Sequence, residues 1–465
     1  MRPTVSLSGA RFPLHGGVLP LTKVGQVTMK QRAASLGSRY YRLFSSAIVS
    51  NLGDGITMVA YPWLASAVTR SPILIALIAV VSRLPWLLFS LPAGVITDRL
   101  DRKKLIVSMD VLRGIFTLGV GVLVLAQQDQ LPGLNELATT TIETNYVLYG
   151  VLLIATFATG CAEVLRDNSA QTLLPSIVEK SQLEKANGRL WSAESVVNTF
   201  IGPPLGSFII GIAIFLPFFV NAGTFFVAAA LIATLSGSFA AKADPVSTHQ
   251  RTNWRIDLKE GLSWLWRHQL LRPLAIILGL INGLSAMSAA AYILFAQEIL
   301  KTSVLEFAIL GTGGAFGGIL GGMVAHKISA KLGTGPSLGL TMLAGGILMA
   351  ATGLVSAWVL VWIFSFVTTL LAVLWNVITV SLRQQIIPDH LLGRVNSAYR
   401  FFGWGMMPIG SLIGGAVIAI AELFISREWA LRSPFLIGGG LSLVLFGFAR
   451  RILTTERIEA AKSIN

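Results

Sequence analysis

Twelve long apolar runs divide this chain of 465 residues, and no other feature limits its possible folds as strongly. They lie near residues 43–66, 72–97, 104–126, 146–165, 190–212, 215–240, 272–297, 304–325, 335–357, 358–380, 396–422 and 431–450. A helix needs about 20 apolar residues to cross the hydrocarbon core of a bilayer. Only 12% of the residues are charged, about half the fraction that is usual in soluble domains. The pattern predicts an all-α polytopic membrane protein with twelve transmembrane helices, and it argues against a water-soluble multidomain enzyme.

The distribution of basic residues predicts the orientation. The chain has 36 Lys and Arg residues and a net charge of +14, an excess that would suggest a nucleic-acid partner in a soluble protein. Here 30 of them fall in segments on the same side of the predicted membrane as the N-terminus, and only Arg70, Lys301, Arg427 and Arg432 fall on the other side. The remaining two, Arg83 and Arg113, lie within predicted helices. Because basic residues remain in cytoplasmic loops, we expect a multi-pass protein of the inner or plasma membrane with both termini cytoplasmic. Its surroundings are then the lipid bilayer, with no nucleic acid.

The longest predicted inner connection divides the chain into two six-helix bundles, residues 43–240 and 272–453. The connection itself, residues 241–271, contains Trp254, Leu258, Leu262 and Leu265 at helical spacing with basic neighbours. This pattern predicts an amphipathic helix on the inner membrane face, with a solvated linker as the alternative. Short sequence similarities between the two halves are typical of a transporter built from parallel repeats.

The ends of the chain are predicted to be cytoplasmic tails, residues 1–42 and 454–465. Residues 1–42 hold seven basic residues, no acidic residue and no long apolar run, so we predict no signal peptide. Either Met1 or Met29 is a possible start of the protein. The single cysteine, Cys161, excludes an internal disulfide bond.

A gating function is predicted for the loop between the second and third runs. Its signature residues are Gly94, Asp98, Arg99, Arg102 and Lys103. Gly94 would allow two helices to approach closely, Asp98 would accept hydrogen bonds from a helix N-terminus, and Arg99 and Arg102 would form charge-assisted bridges. Asp110 and Arg113, near the start of the third helix, are the predicted partners of this latch. The alternative is a basic inner loop with no role in gating.

A second motif, Gly202-Pro203-Pro204-Leu205-Gly206, lies in the fifth run. Proline removes a backbone donor and bends a helix, while glycine allows close helix contact. We predict a bent, closely packed helix with a role in transport at Gly202, Pro203 and Gly206, with an ordinary kinked packing helix as the alternative.

Residues 94–104 resemble the GxxxDRxxRK signature of the major facilitator superfamily, and residues 202–206 resemble the GPxxG core of its antiporter motif. Segments 51–55 (NLGDG), 61–64 (YPWL), 83–88 (RLPWLL) and 392–397 (LGRVNS) resemble the drug-exporter-like branch, which includes enterobactin-type siderophore exporters and macrolide efflux proteins. The similarity extends over about residues 40–453. It implies a secondary transporter that uses the proton gradient and no cofactor, and it does not indicate a substrate. Asp101 stands where the family often has glycine, so the resemblance does not determine the geometry of this loop.

Proton coupling is predicted to depend on Asp54. Counted from Leu43, Asp54 is about 16 Å into the first helix, near the middle of the membrane. Arg83 on the second helix is expected at a similar depth, and ionisable residues inside a membrane generally have a function and a partner. We therefore predict an Asp54–Arg83 pair whose charge balance changes during transport, with a static structural pair as the alternative. Glu163 and Glu194 are weaker candidates because both are expected near inner helix ends.

Six aromatic residues are candidates for lining a substrate cavity: Tyr61, Trp63, Trp86, Tyr292, Trp375 and Phe401. Aromatic residues of membrane helices also face lipid or protein core, which is the alternative for each. The chain contains no G-x-x-x-x-G-K-[ST] nucleotide loop and no H-E-x-x-H metal motif, so we predict neither an ATP-driven pump nor an enzyme, and no metal site.

Together these features predict proton-coupled export of a bulky amphipathic small molecule, of drug or siderophore type, by alternating access. The predicted partners are a small-molecule substrate and protons, and the predicted state is a monomer. A facilitator or importer of a small solute is the first alternative. A membrane enzyme or a transport-dead membrane sensor is the second.

Overall fold

A computed structural model of the chain describes residues 36–134, 136–137, 142–179, 182–239 and 254–463. The predicted tail up to residue 35, including Met29, and the first part of the predicted linker lie outside these ranges. The described residues form sixteen α-helices and contain no β-strand. The helices are α1 (Gly37–Val68), α2 (Pro72–Arg99), α3 (Arg102–Ala126), α4 (Tyr146–Ile177), α5 (Leu183–Val196), α6 (Gly202–Ile212), α7 (Leu216–Ala233), α8 (Trp254–Arg267), α9 (Leu271–Ala289), α10 (Tyr292–Glu298), α11 (Val304–Leu332), α12 (Thr334–Leu354), α13 (Trp358–Ile386), α14 (Asp389–Ala421), α15 (Arg427–Ala449) and α16 (Thr455–Ser463).

Twelve helical segments among the described residues are long and apolar enough to cross a membrane, which confirms the predicted count. Helices α5 and α6 form one of them, because a π-helical turn, Val197–Ile201, joins them without a break. Twelve crossings return the chain to the side on which it began. We call the side of Gly37 the proximal side and the opposite side the distal side.

Several helices extend further than their apolar runs. Helix α1 begins at Gly37 rather than residue 43, and α4 ends at Ile177 rather than residue 165. Arg166 and Arg383, counted as loop residues above, therefore lie inside α4 and α13. An apolar run ends where polar residues begin, whereas a helix continues as long as its backbone hydrogen bonds are maintained.

The seventh apolar run does not form one continuous helix. Helix α9 ends at Ala289 and α10 begins at Tyr292, and the intervening Ala291 has a non-helical backbone with φ −121° and ψ 29°. Run length alone does not reveal this break, since Ala290 and Ala291 are ordinary apolar residues.

The two halves of the chain contact each other through a limited set of helices. Helix α2 packs against α14, α6 packs against α11, and α1 contacts α10 and α11. Gly415 of α14 lies so close to α2 that an added Cβ would be 2.6 Å from the Ala76 Cβ. This contact is near the distal ends of both helices, and glycine is what allows the close approach.

Two helices outside the membrane-spanning set pack on the proximal side. Helix α8 lies in the predicted linker and packs on α14, where Glu260 accepts a hydrogen bond of 2.5 Å from Arg394. Helix α16 contacts α12 and α13 with Ile458 fully buried, so part of the predicted C-terminal tail is a packed helix.

Candidate functional site

A cavity of about 500 Å³ lies between the two halves, toward their distal ends. Its polar and charged wall residues all come from the first half, apart from Tyr292: Asp54, Thr57, Tyr61, Ser82, Arg113, Thr117, Thr156, Thr159, Glu163 and Asn221. The second half contributes only Ala289, Ala290, Tyr292, Ile293 and Phe307. All charged groups of the cavity wall thus come from the first half, which also contributes apolar residues, whereas the second-half lining is mostly apolar and aromatic.

Arg113 of α3 is the centre of the charged wall. Its Nη2 donates to Asp54 Oδ1 at 2.7 Å and lies 4.0 Å from Glu163 Oε2, while Nη1 lies 4.0 Å from Asp110 Oδ1. The guanidinium stacks over the Phe225 ring, 4.0 Å from the ring centre. Arg113 is only 3% exposed, so three carboxylates from α1, α3 and α4 surround one buried positive charge.

A second group of charges lies directly behind the first. Arg166 Nε is 3.5 Å from Asp110 Oδ1, and its Nη1 donates to Asp167 at 3.2 Å. Asp110 is fully buried, and neither of its carboxylate oxygens has a hydrogen-bond partner in the described structure. Asp110 therefore links Arg113 to Arg166 by ion pairing alone. The whole cluster contains four carboxylates and two guanidinium groups.

The predicted Asp54–Arg83 pair is wrong. Asp54 binds Arg113, whereas Arg83 is exposed and has no ion pair among the described residues. A residue count indicates the depth of a residue along its helix, but the direction in which its side chain points around the helix depends on packing. Asp110 and Arg113, predicted as partners of the gating loop, lie in the membrane-spanning part of α3 and pair within the cluster.

Glu163 lies in the middle of α4, 17 residues after Tyr146 and 14 before Ile177, and not near a helix end as predicted. Its side chain is 40% exposed and lies on the cavity wall. Glu194 lies in α5 and is not among the wall residues of the cavity.

The aromatic candidates separate into two groups. Tyr61 and Tyr292 lie on the cavity wall. Trp63 is instead 3% exposed and lies in an apolar cluster formed by both halves, Trp375 is 5% exposed and lies in the apolar core of the second half, and Phe401 is 59% exposed. Trp86 is likewise absent from the wall.

The predicted gating loop attaches to the end of α7. Asp101 Oδ1 accepts from the Lys104 amide at 3.1 Å and caps α3, while Oδ2 accepts from Ser238 Oγ at 2.8 Å and the Phe239 amide at 2.9 Å. Lys103 Nζ donates to Leu235 O at 2.7 Å, and the Arg102 amide donates to Phe239 O at 3.4 Å. Gly94 lies in α2, and the side chains of Asp98 and Arg99 lie outside the described part of the structure.

Asp101 is a residue that the sequence analysis did not assign to the site. Burial raises the pKa of its carboxyl, but the hydrogen bonds from Lys104, Ser238 and Phe239 outweigh that effect and hold the pKa below its ordinary value. An aspartate just before a helix is a common N-cap, and that signal was available in the sequence.

The proline-containing turn positions the helix that carries Asp54. An added Cβ on Gly202 would be 2.5 Å from Gly55 Cα, and one on Gly206 would be 2.4 Å from Ile56 O. Pro203 and Pro204 have no backbone N–H to donate, and the preceding turn is π-helical. The turn thus brings α6 into backbone contact with α1 immediately next to Asp54.

Comparison with known proteins identifies the family. The model of the Major Facilitator Superfamily matches residues 43–411. The chain belongs to the major facilitator superfamily. It is therefore a transporter and not an enzyme, as the sequence analysis expected.

The superfamily relatives differ in what their names say they transport. The multidrug efflux pump Tap of Mycolicibacterium fortuitum is 24% identical over 408 residues, which are 86% of this chain and 94% of that protein. A variant of the nucleoside transporter NupG has a TM-score of 0.67 at 10% identity, covering 89% of this chain and 99% of that one. An inward-facing bacterial homologue of the iron transporter ferroportin has a TM-score of 0.63 at 16% identity, covering 90% and 100%. These two structures share the fold with this superfamily member.

Proposed function

We propose that this transporter exports a bulky amphipathic small molecule from the cytoplasm in exchange for protons, by alternating access, as a monomer in the inner or plasma membrane. The observation that carries the proposal is the sharing of Arg113 between two carboxylates on the cavity wall, those of Asp54 and Glu163.

The physical argument is one of charge balance. Asp54 is 29% exposed and Glu163 is 40% exposed, and Arg113 supplies one positive charge between them. Behind the wall, Asp110 and Asp167 share Arg166, so the cluster as a whole has two more carboxylates than guanidinium groups. An unbalanced charge in a membrane interior is costly, so one wall carboxylate is stabilised when it binds either a proton or a positively charged group of the substrate. The carboxylate binds either the proton or the substrate group but not both at once, and this competition is the basis of exchange.

The substrate class follows from the shape and composition of the cavity. Its first-half wall can bind a polar or charged group, while Tyr292, Ile293 and Phe307 can bury an apolar or aromatic part. Cavities that bind small molecules typically measure about 300–1,000 Å³. An amphipathic molecule satisfies both walls, and efflux by a relative of this chain is consistent with that class.

Export is supported by two observations of different kinds. The turn at Gly202 and Pro203 resembles an antiporter motif. The relative named as an efflux pump covers most of both chains.

The test uses inverted membrane vesicles and ethidium, an amphipathic cation, as the probe. We expect ethidium to accumulate in vesicles that contain the protein when an inside-acidic pH gradient is imposed, and to leave when the gradient is collapsed. Vesicles without the protein are the control. Ethidium uptake that does not depend on the pH gradient would indicate a facilitator. Gradient-driven movement of ethidium out of the vesicles instead of into them would indicate an importer. No gradient-dependent movement of any amphipathic probe would exclude the proposal.

A further inference from the structure

A second ion-pair cluster lies at the distal end of the molecule and joins the two halves. Arg70, in the connection between α1 and α2, forms an ion pair with Glu298 at the end of α10. Arg427, at the start of α15, donates to both oxygens of the same carboxylate, at 2.7 Å and 2.9 Å. Glu298 therefore binds one arginine from each half. Its side chain is 13% exposed and that of Arg70 is 11% exposed.

Neighbouring hydrogen bonds complete this cluster. Arg70 donates to Gln297 Oε1 at 2.5 Å, and Gln297 Nε2 donates to Ser66 Oγ at 2.9 Å. Arg427 also donates to the Arg70 carbonyl at 3.1 Å and to Glu422 at 2.5 Å. Two carboxylates thus face two guanidinium groups. Unlike the group on the cavity wall, this cluster is electrically balanced, so it has no need of a proton or a substrate.

The cluster lies at the distal end of the cavity. Helix α1 contributes Tyr61 and Ala65 to the wall and reaches the cluster through Ser66. Helix α10 contributes Tyr292 and Ile293 to the wall and ends at Gln297 and Glu298. Opening the cavity on this side requires the connection carrying Arg70 to move away from α10.

Such a movement would leave Arg70 without its carboxylate. Hydrogen bonds that involve charged groups contribute more than neutral ones, and a partner left buried and unpaired is costly. The helix is interrupted at Ala290 and Ala291, which separates α10 from α9, so α10 has this interruption at one end and the cluster at the other.

We propose that Glu298 is the residue that holds the distal end of the cavity closed, and that its release from Arg70 is a required step in every transport cycle. Glu298 is the only carboxylate among the described residues that pairs with an arginine of each half at this end. Within the described part of the chain, Glu422 pairs only with Arg427 of its own half. The inference concerns the conformational change and does not depend on which substrate or ion is transported.

The experiment measures distances between spin labels in the purified protein by double electron–electron resonance, without substrate or gradient. One label pair, at Asp129 and Ala357, reports on the distal side, and another, at Lys185 and Lys327, reports on the proximal side. All four positions are exposed and outside the cluster. Cys161→Ala removes the native cysteine.

We expect Glu298→Gln to raise the population with a longer distal distance about tenfold, because the loss of a charged hydrogen bond shifts a balanced equilibrium by about that factor. The proximal distance should shorten at the same time.

Glu428→Gln is the matched control. Glu428 is also a distal carboxylate of the second half, but it pairs with Arg432 one turn away in the same helix at 3.1 Å. The Glu428→Gln substitution should leave both the distal and the proximal distance distributions unchanged. Arg70→Gln removes the partner of Glu298 from the other half and should produce the same increase in the longer distal distance. If Glu298→Gln does not fold, Arg70→Gln serves as the test of the proposal. A reciprocal change on the two sides distinguishes opening from loss of structure, which would broaden both distributions. Unchanged distal distances in folded Glu298→Gln or Arg70→Gln would overturn the proposal.

Discussion

At the scale of single residues, two carboxylates on the cavity wall differ in how strongly they are held. Asp54 forms a 2.7 Å bond with Arg113, whereas Glu163 is 4.0 Å away and more exposed. In the proposed exchange, Glu163 is the better placed of the two to exchange a proton with water or substrate, and Asp54 to hold Arg113 in position. The sequence alone does not distinguish these two proposed roles.

We expect Asp54→Asn and Glu163→Gln each to abolish accumulation of ethidium driven by a pH gradient, because each removes a titratable group from the shared guanidinium. Binding of ethidium to the purified Asp54→Asn protein should remain within a few-fold of wild type, since the shape of the wall is kept. Arg83→Gln is the control and should transport normally, because Arg83 is exposed and has no ion pair in the described structure. Wild-type accumulation by Asp54→Asn would remove that residue from the coupling mechanism.

His268 gives a pH dependence on the proximal side. Its Nδ1 accepts from the backbone amides of Leu270 and Leu271, each at 3.2 Å, and so caps the start of α9. Burial lowers the pKa of the imidazole, because the folded protein favours the neutral ring. The cap therefore contributes its full stability above the ordinary histidine pKa of about 6.5, and that contribution is lost as the pH falls through the lower pKa of the folded protein.

We expect hydrogen exchange in residues 268–274 to be faster at pH 5 than at pH 7.5 after correction for intrinsic rates. His268→Asn keeps an acceptor that does not titrate, so its exchange should be the same at both values. An equal pH effect in both proteins would contradict the assignment of the cap to His268.

At the scale of helices, the contact between α6 and α1 depends on glycine. We expect Gly202→Ala and Gly206→Ala to destabilise the protein by about 1–3 kcal/mol, the usual cost of overpacking a close contact, and to slow transport by displacing α1 beside Asp54. Gly211→Ala in the same helix is the control, because an added Cβ there meets no atom within 4 Å. Thermal unfolding in detergent measures the difference, and equal stability of all three variants would show that the contact is looser than described.

The loop before α3 gives a second prediction at this scale. Replacing Asp101 by Ala removes the cap of α3 and both contacts with the residues after α7. Loss of an N-cap costs about 0.5–2 kcal/mol of stability. We therefore expect the variant protein still to insert into the membrane, but with a lower transport rate than wild type. The proposed latch predicts the same for Asp98→Asn and Arg102→Ala. Normal transport by all three variants would leave this loop with the role of a basic inner segment only.

At the scale of the whole molecule, the orientation in the membrane is a prediction from the positions of basic residues. Single cysteines near Glu136 and Arg427 should react with an impermeant maleimide added outside intact cells, in a background without Cys161. Cysteines near Lys103 and Asn253 should react only after the cells are opened, since the loops there are expected in the cytoplasm. External labelling near Lys103 would reverse the orientation and, with it, the proposed direction of transport.

The sequence by itself determined the properties that belong to one segment at a time. The number of membrane-spanning helices follows from hydropathy, and the close helix contact at Gly202 and Gly206 follows from local glycine spacing. The transporter family was indicated by the resemblance of short motifs to those of a known family, and the family model confirms it. The amphipathic pattern around Leu262 and Leu265 likewise coincides with a helix, α8. Hydropathy and glycine spacing express local physics, so they can be interpreted before the helices are assembled.

Only the tertiary structure decided which charges meet. Asp54 pairs with Arg113 and not Arg83, and Glu163 faces the cavity at mid-helix. Arg70 reaches Glu298, 228 residues later in the chain. A residue count gives depth along a helix, but the direction of a side chain and its partners depend on how twelve helices pack around one another. For that reason the sequence indicated that buried charges matter, and the packing determined which of them act together.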